Sequence, residues 1–191
     1  MNERCNSSAF CKIEQAYIYE NCSVQLMKFF NHGTLLNFSH NLHTNKSLSI
    51  KQKLTAVTFY TYSITKMIKN LHQSGIIHAD IKPDNFLLNK LEGYVPSLRS
   101  TKLSPVTLID FGRSIDIKCL TNATKFTKKV NTEDFICTEM QEGEAYCYEM
   151  DLYALAGTIH VLLFNHFLDK KNFIHCLNLF WCLENEFELT T

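Results

Sequence analysis

Residues 76–86 read Ile-Ile-His-Ala-Asp-Ile-Lys-Pro-Asp-Asn-Phe, with an acid at 80, a cation at 82 and a carboxamide at 85. They follow a segment, Ser49 to Gln73, in which Leu54, Val57, Tyr60, Ile64, Met67 or Ile68, and Leu71 recur in steps of three and four. That is the period of one helical face. Gly75 stands where such a helix would be capped, and Pro83 makes the stretch a loop. Three different polar groups are therefore held together at the exit of a long amphipathic helix.

Upstream, Ala16 to Glu20 and Ser23 to Phe30 are aromatic and β-branched runs parted by Asn21-Cys22, which predicts two antiparallel strands, the second broken by Gly33. The opening to about Gln15 has no clear period and is expected to be loose. Downstream, Phe86 to Leu88 and Val106 to Ile109 read as short strands around a polar insert, residues 89–105, and Asp110-Phe111-Gly112 follows the second strand at once. A helix apolar on nearly every side runs from Leu152 to Phe164, and another is predicted over Asn172 to Phe187 with Trp181 on its packed side.

With 191 residues, 46% of them hydrophobic, the chain can bury one ordinary core. Nineteen basic residues balance nineteen acidic ones, which gives no general attraction to nucleic acid or to an anionic membrane. The apolar run from Ala154 to Phe164 is about half the ~20 residues that span a bilayer. The eight Cys residues lack the close pairing of zinc or redox sites, and the Met-Asn-Glu-Arg start has no apolar run behind it. Both features predict reduced thiols in the nucleus or cytoplasm. His40 and His43 read as a solvated pair, and Lys12 and Glu14 as surface charges.

The chemistry that suits the loop is phosphoryl transfer, which needs a hydroxyl held in line and cations to neutralise the phosphate oxygens. A carboxylate at Asp80 can orient the hydroxyl and accept its proton, and Lys82 can meet the migrating phosphate. Asn85 and a second carboxylate, Asp110, offer hard oxygens for Mg²⁺. His-Ala-Asp-Ile-Lys-Pro-Asp-Asn (78–85) followed by Asp-Phe-Gly (110–112) resembles the catalytic and metal-binding loops of eukaryotic protein kinases. Residues 131–139, Asn-Thr-Glu-Asp-Phe-Ile-Cys-Thr-Glu, run parallel to the family pattern G-T-x-x-Y-x-A-P-E. Asp151 heads the apolar helix where kinases place the Asp that ties down the catalytic loop.

The resemblance implies that Asp80 is the catalytic base, Lys82 the phosphate contact, Asn85 and Asp110 the magnesium ligands, and His78 a packing residue of the loop. Lys two positions past the base is the serine/threonine form. Thr132 would bridge Asp80 and Lys82; an ordinary Thr in a polar loop is the competing reading. The phrases Gly33-Thr34-Leu35-Leu36, residues 77–86, Gly112-Arg113-Ser114-Ile115-Asp116 and Cys137-Thr138-Glu139-Met140 are similar to the Bub family of spindle-checkpoint kinases. By that likeness Met27 is the gatekeeper, the backbones of Lys28 and Phe30 meet the adenine of ATP, and Leu87 floors the pocket. Strand packing is the plainer account of these four.

The fold so implied is α+β and protein kinase-like, with residues 1–34 a remnant of the small lobe and hinge and 35–191 an incomplete large lobe. No Gly-rich loop, third-strand Lys or partner Glu is recognisable before Tyr17, so a truncated kinase domain is expected. A non-catalytic, pseudokinase-like scaffold or a fragment without function is the alternative. Ala79 stands where many kinases place an Arg that grips a phosphorylated activation loop, which argues against such a switch at Thr121, Thr124 or Thr127. A protein substrate and ATP are the expected partners, with kinetochore and checkpoint proteins engaged through regions outside this chain.

Overall fold

A computed structural model describes residues 9–89, 104–120, 125–127 and 136–167. Strand β1 (Ile13–Ile18) pairs antiparallel with β2 (Ser23–Met27), Ile18 opposite Ser23 and Ile13 opposite Met27, with a register shift between Ile13 and Gln15. The turn closes through the Tyr19 N–H on the Cys22 carbonyl at 2.8 Å. Every residue of this hairpin is exposed.

Gly33, at φ +78°, turns the chain into α1 (Leu35–Thr44), and a Cβ there would sit 3.0 Å from Asn37 Oδ1. Thr34 caps the helix: its hydroxyl accepts from the Asn37 N–H while Asn37 Oδ1 accepts from the Thr34 N–H, so two otherwise orphan donors are met. The long helix α2 (Ile50–Gln73) starts on the same device, with Ser49 and Gln52. It buries Ala56, Val57, Tyr60, Ile64, Met67, Ile68 and Leu71. Leu54, expected on that face, is instead 53% exposed, because it lies in the first turns, ahead of the packed stretch.

Short strands follow. β3 (Ile76–Ile77) pairs with β6 (Ile115–Asp116), and β4 (Phe86–Leu88) pairs antiparallel with β5 (Val106–Leu108), Phe86 facing Leu108. The helices α3 (Thr138–Glu142) and α4 (Glu149–Phe164) complete the described order. One apolar cluster joins α1, α2, α4 and the β4–β5 pair through Leu35, Leu42, Ile64, Ile68, Phe86 and Leu162. A second lies between β3 and α3: Ile77, Cys137, Met140, Tyr146 and Met150.

Several expectations need correction. The opening is not loose up to Gln15: β1 begins at Ile13, and residues 9–11 lie along β5, the Leu108 N–H on the Ala9 carbonyl and the Cys11 N–H on the Leu108 carbonyl. The second strand stops at Met27, leaving Phe29 and Phe30 in a connection. Of His40 and His43, both in α1, His40 is exposed as a solvated residue, whereas His43 is half-buried and its Nε2 donates to the Leu162 carbonyl at 3.0 Å. With Ser39 Oγ donating to the Val161 carbonyl at 2.9 Å, α1 meets two of the last carbonyls of α4. The predicted helix around Trp181 lies outside the described residues.

Candidate active site

The loop from His78 to Asn85 is built on one buried carboxylate. Asp151, 1% exposed in the first turn of α4, accepts the His78 N–H at 2.8 Å on Oδ2 and the Ala79 N–H at 2.8 Å on Oδ1. His72 Nε2, from the last turn of α2, reaches the same Oδ2 at 2.9 Å. These bonds hold Ala79 at φ +64°, a left-handed conformation that disfavours a side chain by roughly 1–2 kcal/mol.

Asp80 is 8% exposed, and its carboxylate meets three groups. Lys82 Nζ donates to Oδ2 at 2.8 Å, Asn85 Nδ2 to the same oxygen at 3.2 Å and to the Asp80 backbone carbonyl at 2.8 Å. Arg113 Nη1 stands 3.7 Å from Oδ1. Burial by itself pushes the Asp80 carboxyl up, but Lys82, Asn85 and Arg113 outweigh it and hold the group below the usual carboxylate range. The carboxylate is ionised and ready to accept a hydrogen bond at neutral pH.

The His78 ring is fixed by its partners. The Asp80 N–H points at Nδ1 (3.3 Å), which therefore accepts, and Nε2 donates to the Ile109 carbonyl at 3.0 Å. Burial lowers its pKa, although the Ile109 carbonyl and the carboxylates of Asp151, Asp80 and Asp110 all pull the other way. The imidazole is a neutral strut. It packs edge-on against Phe111 (centroids 4.8 Å apart), and Phe111 in turn against Phe10 at 6.1 Å.

Asp110 ends the strand segment at φ +63°, its Oδ1 accepting the Gly112 N–H at 3.4 Å. The Ile109 N–H on the Asn85 carbonyl, 3.0 Å, stitches this loop to the one holding Asp80. Ser114 Oγ adds a bond to the His78 carbonyl at 3.2 Å. Asp80, Lys82 and Asn85 are thus in mutual contact, and Asp110 is tied to them through Ile109 and His78. Because the Asn85 amide nitrogen is spent on Asp80, its amide oxygen is left as a donor atom. That oxygen and the Asp110 carboxylate are hard oxygens of the kind that could hold Mg²⁺, whose remaining positions are commonly filled by phosphates and water. Among the described residues no three His, Cys, Asp or Glu side chains converge on a metal position.

The residues assigned to adenine lie at the hairpin's exit. Met27 closes β2, its Sδ accepting the Cys11 thiol at 3.4 Å. Lys28 Nζ lies over the Phe30 ring at 5.4 Å. Among the described residues the backbones of Lys28, Phe29 and Phe30 meet no hydrogen-bond partner. Leu87, half-buried, bridges Thr34, and the Leu88 N–H bonds the Gly33 carbonyl at 3.0 Å, which brings the β4 floor against the end of that connection. Thr132 lies outside the described residues. Sequence reasoning gave no role to Arg113 or His72. An Arg directly after Asp-Phe-Gly was the available signal for the first, whereas the second depends on a contact 79 residues away along the chain.

Comparison with known proteins agrees with this geometry. The protein kinase domain pattern matches residues 1–179. The mitotic checkpoint serine/threonine-protein kinase BUB1 of Mus musculus is 34% identical over 163 residues, covering 85% of this chain and 15% of that protein. BUB1 of Arabidopsis thaliana is 30% identical over 168 residues, 85% of this chain and 31% of that one. Among solved structures the BubR1 kinase domain superposes with a TM-score of 0.75 at 31% identity, over 88% of this chain and 48% of its own. The granulovirus kinase PK-1 of Cydia pomonella granulovirus (TM-score 0.62, 18% identity, 90% and 56% covered) shares the fold. The chain spans about half the BubR1 kinase domain structure and 15 to 31% of these two BUB1 proteins. A family pattern over most of its length, carried by the same loops that assemble around Asp80, makes this chain a member of the protein kinase domain family, similar within it to the Bub checkpoint kinases.

Proposed function

We propose that this chain carries the phosphoryl-transfer site of a serine/threonine protein kinase, moving the γ-phosphate of ATP to a protein hydroxyl. The observation that carries the reading is the convergence on one buried carboxylate: Lys82 and Asn85 both bond Asp80 Oδ2, at 2.8 and 3.2 Å. Asp80 Oδ1 is left to orient the acceptor hydroxyl and take its proton. Lys82, paired to the same carboxylate, is placed to follow the phosphate oxygens. Magnesium held by Asn85 and Asp110 would supply charge neutralisation at the phosphates. The backbones of Lys28 and Phe30, with Met27 and the Leu87 side chain lining the pocket, would receive the adenine. Kinetochore and checkpoint proteins as partners, and a nuclear or kinetochore location, follow from the similarity to the Bub kinases. Among the described residues no helix is long and apolar enough to cross a membrane.

The test is magnesium-dependent transfer of labelled phosphate from ATP to a serine-containing protein, with Asp80→Asn as control. Removing a general base typically loses a factor of about 10²–10⁴, so the variant should be near background. Equal signals from the two would leave the chain a non-catalytic, pseudokinase-like module.

A further inference from the structure

Charge is unevenly spread along the chain. Between Asn21 and Ala79 there is no Asp or Glu, whereas Lys28, Lys46, Lys51, Lys53, Lys66 and Lys69 all fall there. All nineteen acidic residues lie outside that stretch, against thirteen of the nineteen basic ones. The helix α2 sorts these charges by face. Its apolar side packs into the core through Ala56, Tyr60, Ile64 and Met67, and Lys53 Nζ donates to the His43 carbonyl at 2.9 Å. The opposite side carries Lys51, Leu54, Thr58, Tyr62, Lys66 and Lys69, all exposed and in steps of three and four. They make one stripe about 27 Å long. Leu54 and Tyr62, in its middle, are 53% and 65% exposed.

Two features of the stripe disfavour the helix that carries it. Lys51 and Lys53 sit in a first turn without an acid, where the positive end of the helix dipole repels cations. Lys66 and Lys69 are like charges three apart, and α2 has no Asp or Glu to offset them. Among the described residues no carboxylate pairs with Lys51, Lys66 or Lys69.

We propose that the solvent face of α2 is a docking surface for an acidic, amphipathic helix of a partner protein. The partner's central apolar residues would cover Leu54 and Tyr62, and its terminal carboxylates would meet Lys51 at one end and Lys66 and Lys69 at the other. An apolar centre within a charged rim is the anatomy of a protein interface. Nucleic acid fits less well, because the stripe has no Arg and an apolar midsection parts its cations, whereas a phosphate backbone presents continuous charge. A membrane also fits less well, because the broad apolar face that a bilayer takes up is already buried in the core. Neither the surface nor its partner depends on phosphoryl transfer.

The test is fluorescence anisotropy on the full chain with a labelled helical peptide of about eighteen residues, long enough to span the stripe. It carries Leu at the centre of one face and Glu at both ends; companion peptides replace the Glu residues by Gln or by Lys. At physiological ionic strength the wild-type chain should bind the Glu peptide about tenfold more tightly than the Gln peptide, with the gap closing in about 1 M salt. The triple variant Lys51→Glu, Lys66→Glu, Lys69→Glu should lose the Glu peptide and gain the Lys peptide, a reversal that a misfolded chain cannot give. Leu54→Gln with Tyr62→Gln should weaken the Glu peptide about tenfold. Lys12→Glu, a charge reversal at an exposed position outside α2, should leave the preference intact. Equal affinity of the wild type for the Glu and Gln peptides, no binding of any peptide, or a Glu preference that survives the triple reversal overturns the proposal. So does unchanged affinity in the Leu54 and Tyr62 variant, or a preference lost in Lys12→Glu. Tighter binding of the wild type to phosphatidylserine vesicles or to single-stranded RNA than to the Glu peptide would overturn it in favour of a membrane or a nucleic acid.

Discussion

At the scale of single residues, Asp151 does the most structural work per atom. It satisfies two backbone N–H groups and one imidazole, and it holds Ala79 in the left-handed region. Asp151→Ala leaves at least two buried donors unmet at about 1–3 kcal/mol each, so a loss of about 2–5 kcal/mol is expected in thermal or urea unfolding. His78 sets a second expectation. Burial lowers its pKa, so the unfolded chain takes the proton more readily. The stability from neutral His78 is therefore present above the ordinary value of about 6.5 and declines as pH falls below it. His160, lowered by burial and by His166, acts with the same sign. Asp80, held low, contributes above an unfolded value of about 3.9 and adds no slope between pH 5 and 7.5. Melting midpoints should drop from pH 7.5 to pH 5, and His78→Phe, though less stable overall, should show a shallower drop. The contact of Asp80 with Lys82 and Asn85 was legible in the sequence because their spacing is set by one short loop. Arg113 was not, since its pairing with Asp80 depends on how two loops 30 residues apart fold back on each other.

Helices and strands were legible in proportion to their length. The 24 residues of α2 carry several turns of apolar period, and α4 is apolar almost throughout. α1 went unread: its buried positions, Leu35, Phe38 and Leu42, make only three marks, and its capping box uses Asn37 where Glu or Gln would have signalled a helix start. The strands β3 and β6, two residues each, carry no period to read. Within α2, Thr61 differs from two of the neighbouring hydroxyl residues. Thr55 and Ser63 bond the carbonyls of Lys51 and Phe59, four residues back, at 2.8 Å. Thr61 Oγ1 is buried with no partner among the described residues. A buried hydroxyl without a partner carries a desolvation penalty that a methyl group does not. Thr61→Val should therefore raise stability by about 1 kcal/mol, measured as a higher urea midpoint with an unchanged slope. A lower midpoint would mean that the hydroxyl is satisfied by water.

Across the whole molecule, stability is unevenly spread. The core lies among α1, α2, α4 and the β4–β5 pair, and the loop holding Asp80 is anchored from two sides, by Asp151 of α4 and by the Ile109 carbonyl on His78. The β1–β2 hairpin stands apart from that core, with Ile18 86% exposed and Phe29, just beyond it, 83% exposed. Its own ladder is its main support, and a two-stranded ribbon without a packed face is marginal in water. The segment 9–11, bonded along β5, and the Cys11 thiol on Met27 are its tethers to the rest. The proposed adenine contacts, Met27 at the end of β2 and Lys28 and Phe30 just beyond it, therefore lie on or next to the element least able to hold a fixed geometry alone, whereas the phosphate-end residues lie on the most firmly held. Native-state hydrogen exchange should separate the two: amides of Ile13–Ile18 and Ser23–Met27 should open with free energies near zero, while those of Leu155 to Leu162 in α4 should approach the global value. Adding ATP with magnesium should slow exchange in the hairpin more than in α4, because binding orders the part that was loose. Uniform protection across hairpin and helix before ligand is added would show that the hairpin is packed as firmly as the core, contrary to its exposure.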